Sequence, residues 1–206
     1  MAYSDFTLEA AAETFHLEIV EPVGVFSNLA GVDPGDDFTT RLAMRAQLAS
    51  AINTDKAKSE LIISHLIAEL RQYHNCCISF FSGTDFDVDA ENGLTGVCDF
   101  LISLSPTQLF IRAPVAILVE VPPIAGKDES IIIGLGSCVA KMVAAQRFNA
   151  KKENEIPCIY GATTKGTEWM FLKLEEQRLS VDLMSYRIAQ CDQILGILSS
   201  MVGQKA

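Results

Sequence analysis

Two short stretches constrain this chain more than any other feature: GVCDFLISL at 96–104 and APVAILVEV at 113–121. Successive side chains of a strand point to opposite faces, and both stretches are apolar on both faces. Such strands lie inside a sheet that is covered on each side, which calls for helical layers above and below. The expected class is therefore α/β, with a mixed central sheet flanked by helices.

The rest of the pattern supplies those layers. A helix is expected at about 55–74, capped by Thr54, with Leu61, Ile62, Ile63, Leu66, Ile67 and Leu70 as its apolar stripe. Strands follow near 77–81, 94–104 and 114–121, then a mostly helical stretch at 131–149. Further strands are expected at 156–163, 169–174 and 179–183, and a closing helix at 185–202. The first 40 residues hold eight acids and no Lys or Arg, and so carry −8 of the net −10; everything after Thr40 sums to −2. Helices at 6–17 and 37–51 flank a Pro/Gly-punctuated loop in this region. Residues 1–54 are read as an acidic helical N-terminal appendage, and 55–206 as the α/β core with its C-terminal helix, the whole forming one compact unit.

Composition narrows the function. Hydrophobic residues make up 49% and charged residues 20%, enough for a sizeable core. A net-acidic surface repels phosphate and argues against a nucleic-acid coat protein or a membrane-surface binder. No apolar run is expected to reach the roughly 20 residues needed to span a bilayer. The N-terminus lacks the basic-then-apolar order of a secretory signal, so a cytoplasmic location is expected. Cys76, Cys77, Cys98, Cys138, Cys158 and Cys191 form no C-x-x-C pair and are read as reduced core residues. His16, His65 and His74 are scattered, and no His/Cys metal cluster is readable.

Two motif-like stretches fail on inspection. IIIGLGSC has two glycines of a dinucleotide fingerprint, but Val139 stands where a third small residue is required. Asp85, Asp87, Asp89 and Glu91 resemble half a calcium loop, yet Ala90 occupies the obligatory glycine position and Gly96 the final glutamate. The acids ahead of Asn92-Gly93 read better as a solvated strand edge leading into a hairpin turn.

The carboxylates inside the apolar strands are the stronger signal. Asp99 is expected to share a face with Val97 and Leu101, and Glu120 with Ala116 and Leu118. A carboxylate among apolar side chains is costly unless a cation compensates it. Near the ends of successive strands, Asp99 and Glu120 are placed to chelate Mg2+ or Mn2+, with Glu60 on the preceding helix facing the same centre. The competing reading is that each makes its own salt bridge or caps a turn.

Taken in order, Glu60 on a helix, LTGVCDFLIS, APVAILVEV and the helix start GLGSCVAKMVAAQRFN resemble the PD-(D/E)xK nuclease superfamily. More narrowly they resemble restriction-endonuclease-like proteins of cyanobacteria and other bacteria, over most of the chain. The resemblance implies a restriction-endonuclease-like mixed sheet and makes Asp99 and Glu120 the metal-binding acids. It makes Glu60 the additional helix glutamate of some members, and implies Mg2+ or Mn2+ as cofactor and DNA as substrate.

The departures from that pattern are specific. The lysine two residues beyond the glutamate is Pro122, which supplies neither charge nor donor. Relatives often carry glutamine where Ser137 stands. Lys141, one turn after Ser137 on the same helix face, could replace the lysine, with Lys127 a second candidate; the preferred reading is that Lys141 is a solvated helix residue. Residues 130–152 hold Lys141, Arg147, Lys151 and Lys152 and no acid, a charge suited to phosphate and also to a helix C-terminus. The expectation is a degenerate metal-dependent DNA phosphodiesterase with weak or no activity, its catalytic residues drawn from Glu60, Asp99, Glu120 and Lys141. The alternative is a non-catalytic binding or assembly module. A homo-oligomer formed through the C-terminal helix is a further reading, against that helix covering its own sheet.

Overall fold

A computed structural model describes residues 1–123 and 130–204. Lys127 therefore lies outside the described residues. The elements, in chain order, are α1 (Leu8–Phe15), β1 (Glu18–Val20), α2 (Asp36–Ile52), α3 (Asp55–Lys58) and α4 (Ser64–Tyr73), then β2 (Ser79–Asp85), β3 (Val97–Ser103) and β4 (Val115–Glu120). After these come α5 (Leu135–Lys151), β5 (Ile159–Thr164), β6 (Glu168–Glu175), β7 (Arg178–Arg187) and α6 (Cys191–Val202). A π-helical turn, Ser59–Ile63, joins α3 to α4, so the expected 55–74 helix is continuous but locally widened to i→i+5 hydrogen bonding.

The strands form one seven-stranded mixed sheet in the order β1-β7-β6-β5-β4-β3-β2. β4 and β5 are parallel, with α5 as the crossover between them, while β2–β3, β3–β4, β5–β6 and β6–β7 are antiparallel. Sheet side chains meet α2, the π turn, α4 and α6 on one face, where Phe100, Ile102, Val119, Trp169 and Phe171 are buried. On the other face Leu101, Leu118, Leu172 and Leu174 pack against α1 and α5. Both faces of β3 and β4 are covered, as their two-sided apolarity requires.

A bulge alters the expected alternation in β4. Ile102 pairs with Ile117 but Ser103 pairs with Val115, leaving Ala116 as the extra residue. Ala116 consequently packs on the α4 side, whereas Leu118 packs on the α5 side. Cys98 joins the α5 side as well, ahead of Phe100, the first β3 residue paired with β4.

The N-terminal residues are helical where expected, but they are not external to the core. Tyr3, Phe6 and Phe15 are buried with α5, and Phe38, Leu42, Ala46 and Ala49 of α2 are buried in the opposite layer. β1, absent from the sequence expectation, extends the sheet by pairing in parallel with β7. Asp182, fully buried in β7, accepts backbone N–H bonds from Gly24 (2.7 Å), Phe26 (3.4 Å) and Met184 (3.0 Å), which holds the loop after β1 against the sheet.

Two further expectations are sharpened. Ile131–Lys151 is, by length and composition, long and apolar enough to cross a membrane, but 72% of that window is buried inside the protein as its core helix. The apolar face of α6 (Ile194, Leu195, Ile197, Leu198, Met201) is buried within the chain's own core. Of the cysteines, Cys98, Cys138, Cys158 and Cys191 are buried, while Cys76 and Cys77 are exposed rather than core residues.

Candidate functional site

Asp99 lies at the start of β3 and Glu120 at the end of β4, so the antiparallel pairing brings both to one end of the sheet. Lys141 on α5 reaches the same place from the covering layer. Its ammonium is bonded to the Glu120 carboxylate and stands 3.9 Å from Asp99 Oδ2. Lys141 is only 4% exposed, so the solvated-residue reading does not hold for it. Asp99 Oδ2 also accepts the Val121 N–H at 3.0 Å, which fastens the carboxylate to the chain leaving β4.

The electrostatics follow from burial and mutual proximity. Burial pushes the Glu120 carboxyl above its ordinary value, and Asp99 adds to this; Lys141 and a hydrogen bond from Ser137 pull the other way. For Lys141, burial by itself favours the neutral amine, but Glu120 and Asp99 together outweigh it and hold the ammonium charged. The buried Cys98 thiol beside them is pushed up to about 12, chiefly by desolvation. The Tyr3 ring lies 5.9 Å from the Lys141 ammonium, a cation–π distance.

These groups open onto a cavity of about 360 Å3, lined also by Ala2, Tyr3, Asp55 and Ser137. Glu60, assigned to this centre from the sequence, does not line it. Its side chain is 64% exposed and pairs with Lys56 at 3.7 Å on the outer surface of the helix. The acid that this helix does contribute is Asp55, at its first turn. Lys165, 4% exposed in the β5–β6 turn, lies 4.0 Å from Asp55 Oδ1 and donates to the Pro122 carbonyl at 2.6 Å. Neither residue was legible in the sequence. Asp55 follows a capping Thr54 and reads as an ordinary helix-dipole acid, and Lys165 sits in a Gly-containing turn.

The basic stretch of α5 is bound internally. Arg147 pairs with Asp89 at 2.5 Å, Lys151 donates to the Val88 carbonyl at 2.7 Å, and Lys152 lies 5.9 Å from the Phe148 ring centre. Asp87 accepts the Gly96 N–H at 2.8 Å, and Gly93 has φ +75° at the hairpin turn, so the alternating acids organise that hairpin. A larger cleft of about 840 Å3 lies against Gln146, Asn149, Glu155 and Glu176, and none of the buried charged side chains among the described residues lines it.

As a cation site, Asp99 and Glu120 offer hard oxygen donors of the kind Mg2+ or Mn2+ takes from one or two carboxylates plus water. Among the described residues no group of three or more His, Cys, Asp or Glu side chains converges. Lys141 already occupies the Glu120 carboxylate that such an ion would need. Comparison of the chain with protein-family models, with curated proteins and with solved structures found no match in any of the three.

Proposed function

We propose that this chain is a PD-(D/E)xK nuclease-like protein, a degenerate Mg2+-dependent DNA phosphodiesterase of weak or no activity. The observation that carries the reading is the Lys141 ammonium, bonded to Glu120 and 3.9 Å from Asp99. A lysine from α5 thus stands beside the two strand carboxylates although the strand position itself is Pro122. The order α4, β2, β3, β4, α5, β5, with β4 parallel to β5, supports a restriction-endonuclease-like core.

In this reading Asp99 and Glu120 would hold the divalent ion, which when bound supplies Lewis acidity toward a phosphoryl oxygen. Lys141 would donate a hydrogen bond to the attacking water or to a non-bridging phosphate oxygen, stabilising developing negative charge. Ser137 holds Glu120, and the Val121 N–H orients Asp99. The weakness of the activity follows from the direct Lys141–Glu120 contact, which must loosen for both roles, and from the internal pairing of Arg147 and Lys151.

The second reading, a non-catalytic binding or assembly module, is favoured by that same contact, since an ammonium already neutralises Glu120 without a metal. One paired experiment separates the two. Mn2+ is titrated calorimetrically into wild type and Asp99→Ala, and both are incubated with supercoiled DNA and Mn2+. The nuclease reading expects Mn2+ binding and slow nicking by wild type, with both lost in Asp99→Ala. Nicking of equal rate in the two proteins, or none together with no Mn2+ heat, overturns it.

A further inference from the structure

Where α3 docks on the β5–β6 turn, two lysines are withdrawn from solvent, Lys58 at 5% exposure and Lys165 at 4%. They stand together: a side-chain carbon on Gly166, next to Lys165, would lie 3.4 Å from Lys58 Cβ. Asp55, which lines the cavity shared by Asp99, Glu120 and Lys141, precedes Lys58 by three residues on the same short helix, so the two share a helix face. The other buried charges among the described residues are compensated. Glu120 and Lys141 hold one another, Asp182 accepts backbone N–H bonds, and Lys165 donates to the Pro122 carbonyl and lies 4.0 Å from Asp55. Lys58 is the exception. Among the described residues its ammonium makes no ion pair and no hydrogen bond, and its nitrogen is not sealed from solvent. A lysine withdrawn this far gives up most of its water, and without a counter-charge it receives nothing in exchange.

We propose that Lys58 is an anion subsite, taking a phosphate oxygen of the DNA backbone beside the phosphodiester held at Asp99 and Glu120. The ligand class rests on the nuclease reading; the unpaired ammonium does not. A strand with one phosphate at the carboxylates carries its next phosphate one nucleotide away, so a cation next to that cavity meets the repeating charge of the backbone. An ammonium serves there as a point charge, without the fixed fork of an arginine. The basic residues of α5 do not fill this role, because Arg147 and Lys151 are bound internally. Lys58 contacts DNA without taking part in the chemistry, so its removal weakens binding and leaves the carboxylate–Lys141 cluster as it is.

The test uses the full chain and needs no cleavage. Lys58→Met keeps the apolar stem and removes the charge. Without DNA, the variant is expected to unfold at a higher urea concentration than wild type, since an uncompensated ammonium has been replaced by apolar surface. With a labelled B-form duplex in EDTA, followed by fluorescence anisotropy, its affinity is expected to fall about tenfold at low salt. The slope of log K against log salt should shrink by about 0.9, the value of one phosphate contact. Lys56→Met removes a solvent-exposed charge from the outer side of the same helix and is expected to leave both readings near wild type. A lower urea midpoint for Lys58→Met shows that the ammonium already has its partner within the chain, and overturns the proposal. An unchanged salt slope, an equal loss in Lys56→Met, or no DNA binding by wild type overturns it as well. The nuclease reading is decided separately, by the Mn2+ heat and the nicking lost in Asp99→Ala.

Discussion

At the scale of single residues, the structure turns on how a buried charge is balanced. Glu120 is 7% exposed and Lys141 4%, and each makes the other tolerable. Removing one partner of a buried pair costs about 3 kcal/mol or more, because the remaining charge is left uncompensated. Lys141→Met is therefore expected to be destabilised at neutral pH, with the loss read from urea unfolding midpoints. The sign of its pH dependence follows from Glu120. Without the ammonium, burial and Asp99 are opposed only by the Ser137 hydrogen bond, so the folded-state value lies further above the unfolded one. A group raised in this way contributes stability below its unfolded value and loses it as pH rises, so the variant approaches wild type only in acid and falls away through the range above pH 4.5. Adding Glu120→Gln to Lys141→Met should recover much of the neutral-pH loss; a double variant no more stable than the single one contradicts the charge-balance account. In wild type Lys141 is raised, so its own contribution persists through neutrality and is lost as pH climbs past the ordinary lysine value of 10.5, whereas Glu120, raised as well, loses part of its contribution as pH rises above 4.5.

At the scale of elements, α5 is the organising piece. It connects the parallel strands β4 and β5, carries Ser137 and Lys141 to the cavity, and is covered by the N-terminal residues. The glycines at its start look like a phosphate loop in the sequence, but they serve packing. A side-chain carbon on Gly136 would overlap the Phe6 carbonyl oxygen and the Thr7 backbone, and one on Gly134 would stand 3.1 Å from Pro122 and 3.2 Å from Glu120. Gly136→Ala is accordingly expected to displace the segment before α1 and to cost about 2 kcal/mol. Thermal melting gives the stability change. Amide exchange at Tyr3, whose N–H bonds to the Thr95 carbonyl at 3.0 Å, reports whether that segment has moved. Unchanged protection at Tyr3 would show that the helix gives way instead.

At the scale of the whole molecule, the question is whether residues 1–54 can be removed. An appendage would leave the remainder folded. Here α2 supplies Phe38, Leu42, Ala46 and Ala49 to one layer, Tyr3, Phe6 and Phe15 enter the other, and β1 covers the edge of β7. Deleting 1–54 exposes apolar surface in both layers at once and uncovers a strand edge. The truncated protein, residues 55–206, is expected to lack a cooperative thermal transition by circular dichroism, and its single tryptophan, Trp169, to lose the fully buried environment it has in the intact chain. A sharp transition in the truncated protein would restore the appendage description.

Much of this was legible from the chain alone. Two-sided apolarity at 97–104 and 115–121 demanded central strands and covering helices, because an apolar strand face has nowhere to go but into a layer. The isolation of Asp99 and Glu120 within those strands marked them, since a carboxylate there needs a counter-charge; the one-turn offset from Ser137 made Lys141 a candidate, but a solvated lysine was the preferred reading of the sequence, and its burial against Glu120 decided otherwise. Other features depend on contacts distant in sequence and left no local trace. The Asp55–Lys165 pair spans residues brought together only when α3 docks against the β5–β6 turn. Glu60 faces solvent and pairs with Lys56 rather than turning to the carboxylates, and β1 is three residues whose strand character exists only through pairing with β7. Local pattern thus determined which residues form layers and which carry unbalanced charge. Tertiary structure alone decided which charges meet, because an ion pair depends on distance in space, and that distance is set by packing between elements far apart in the chain.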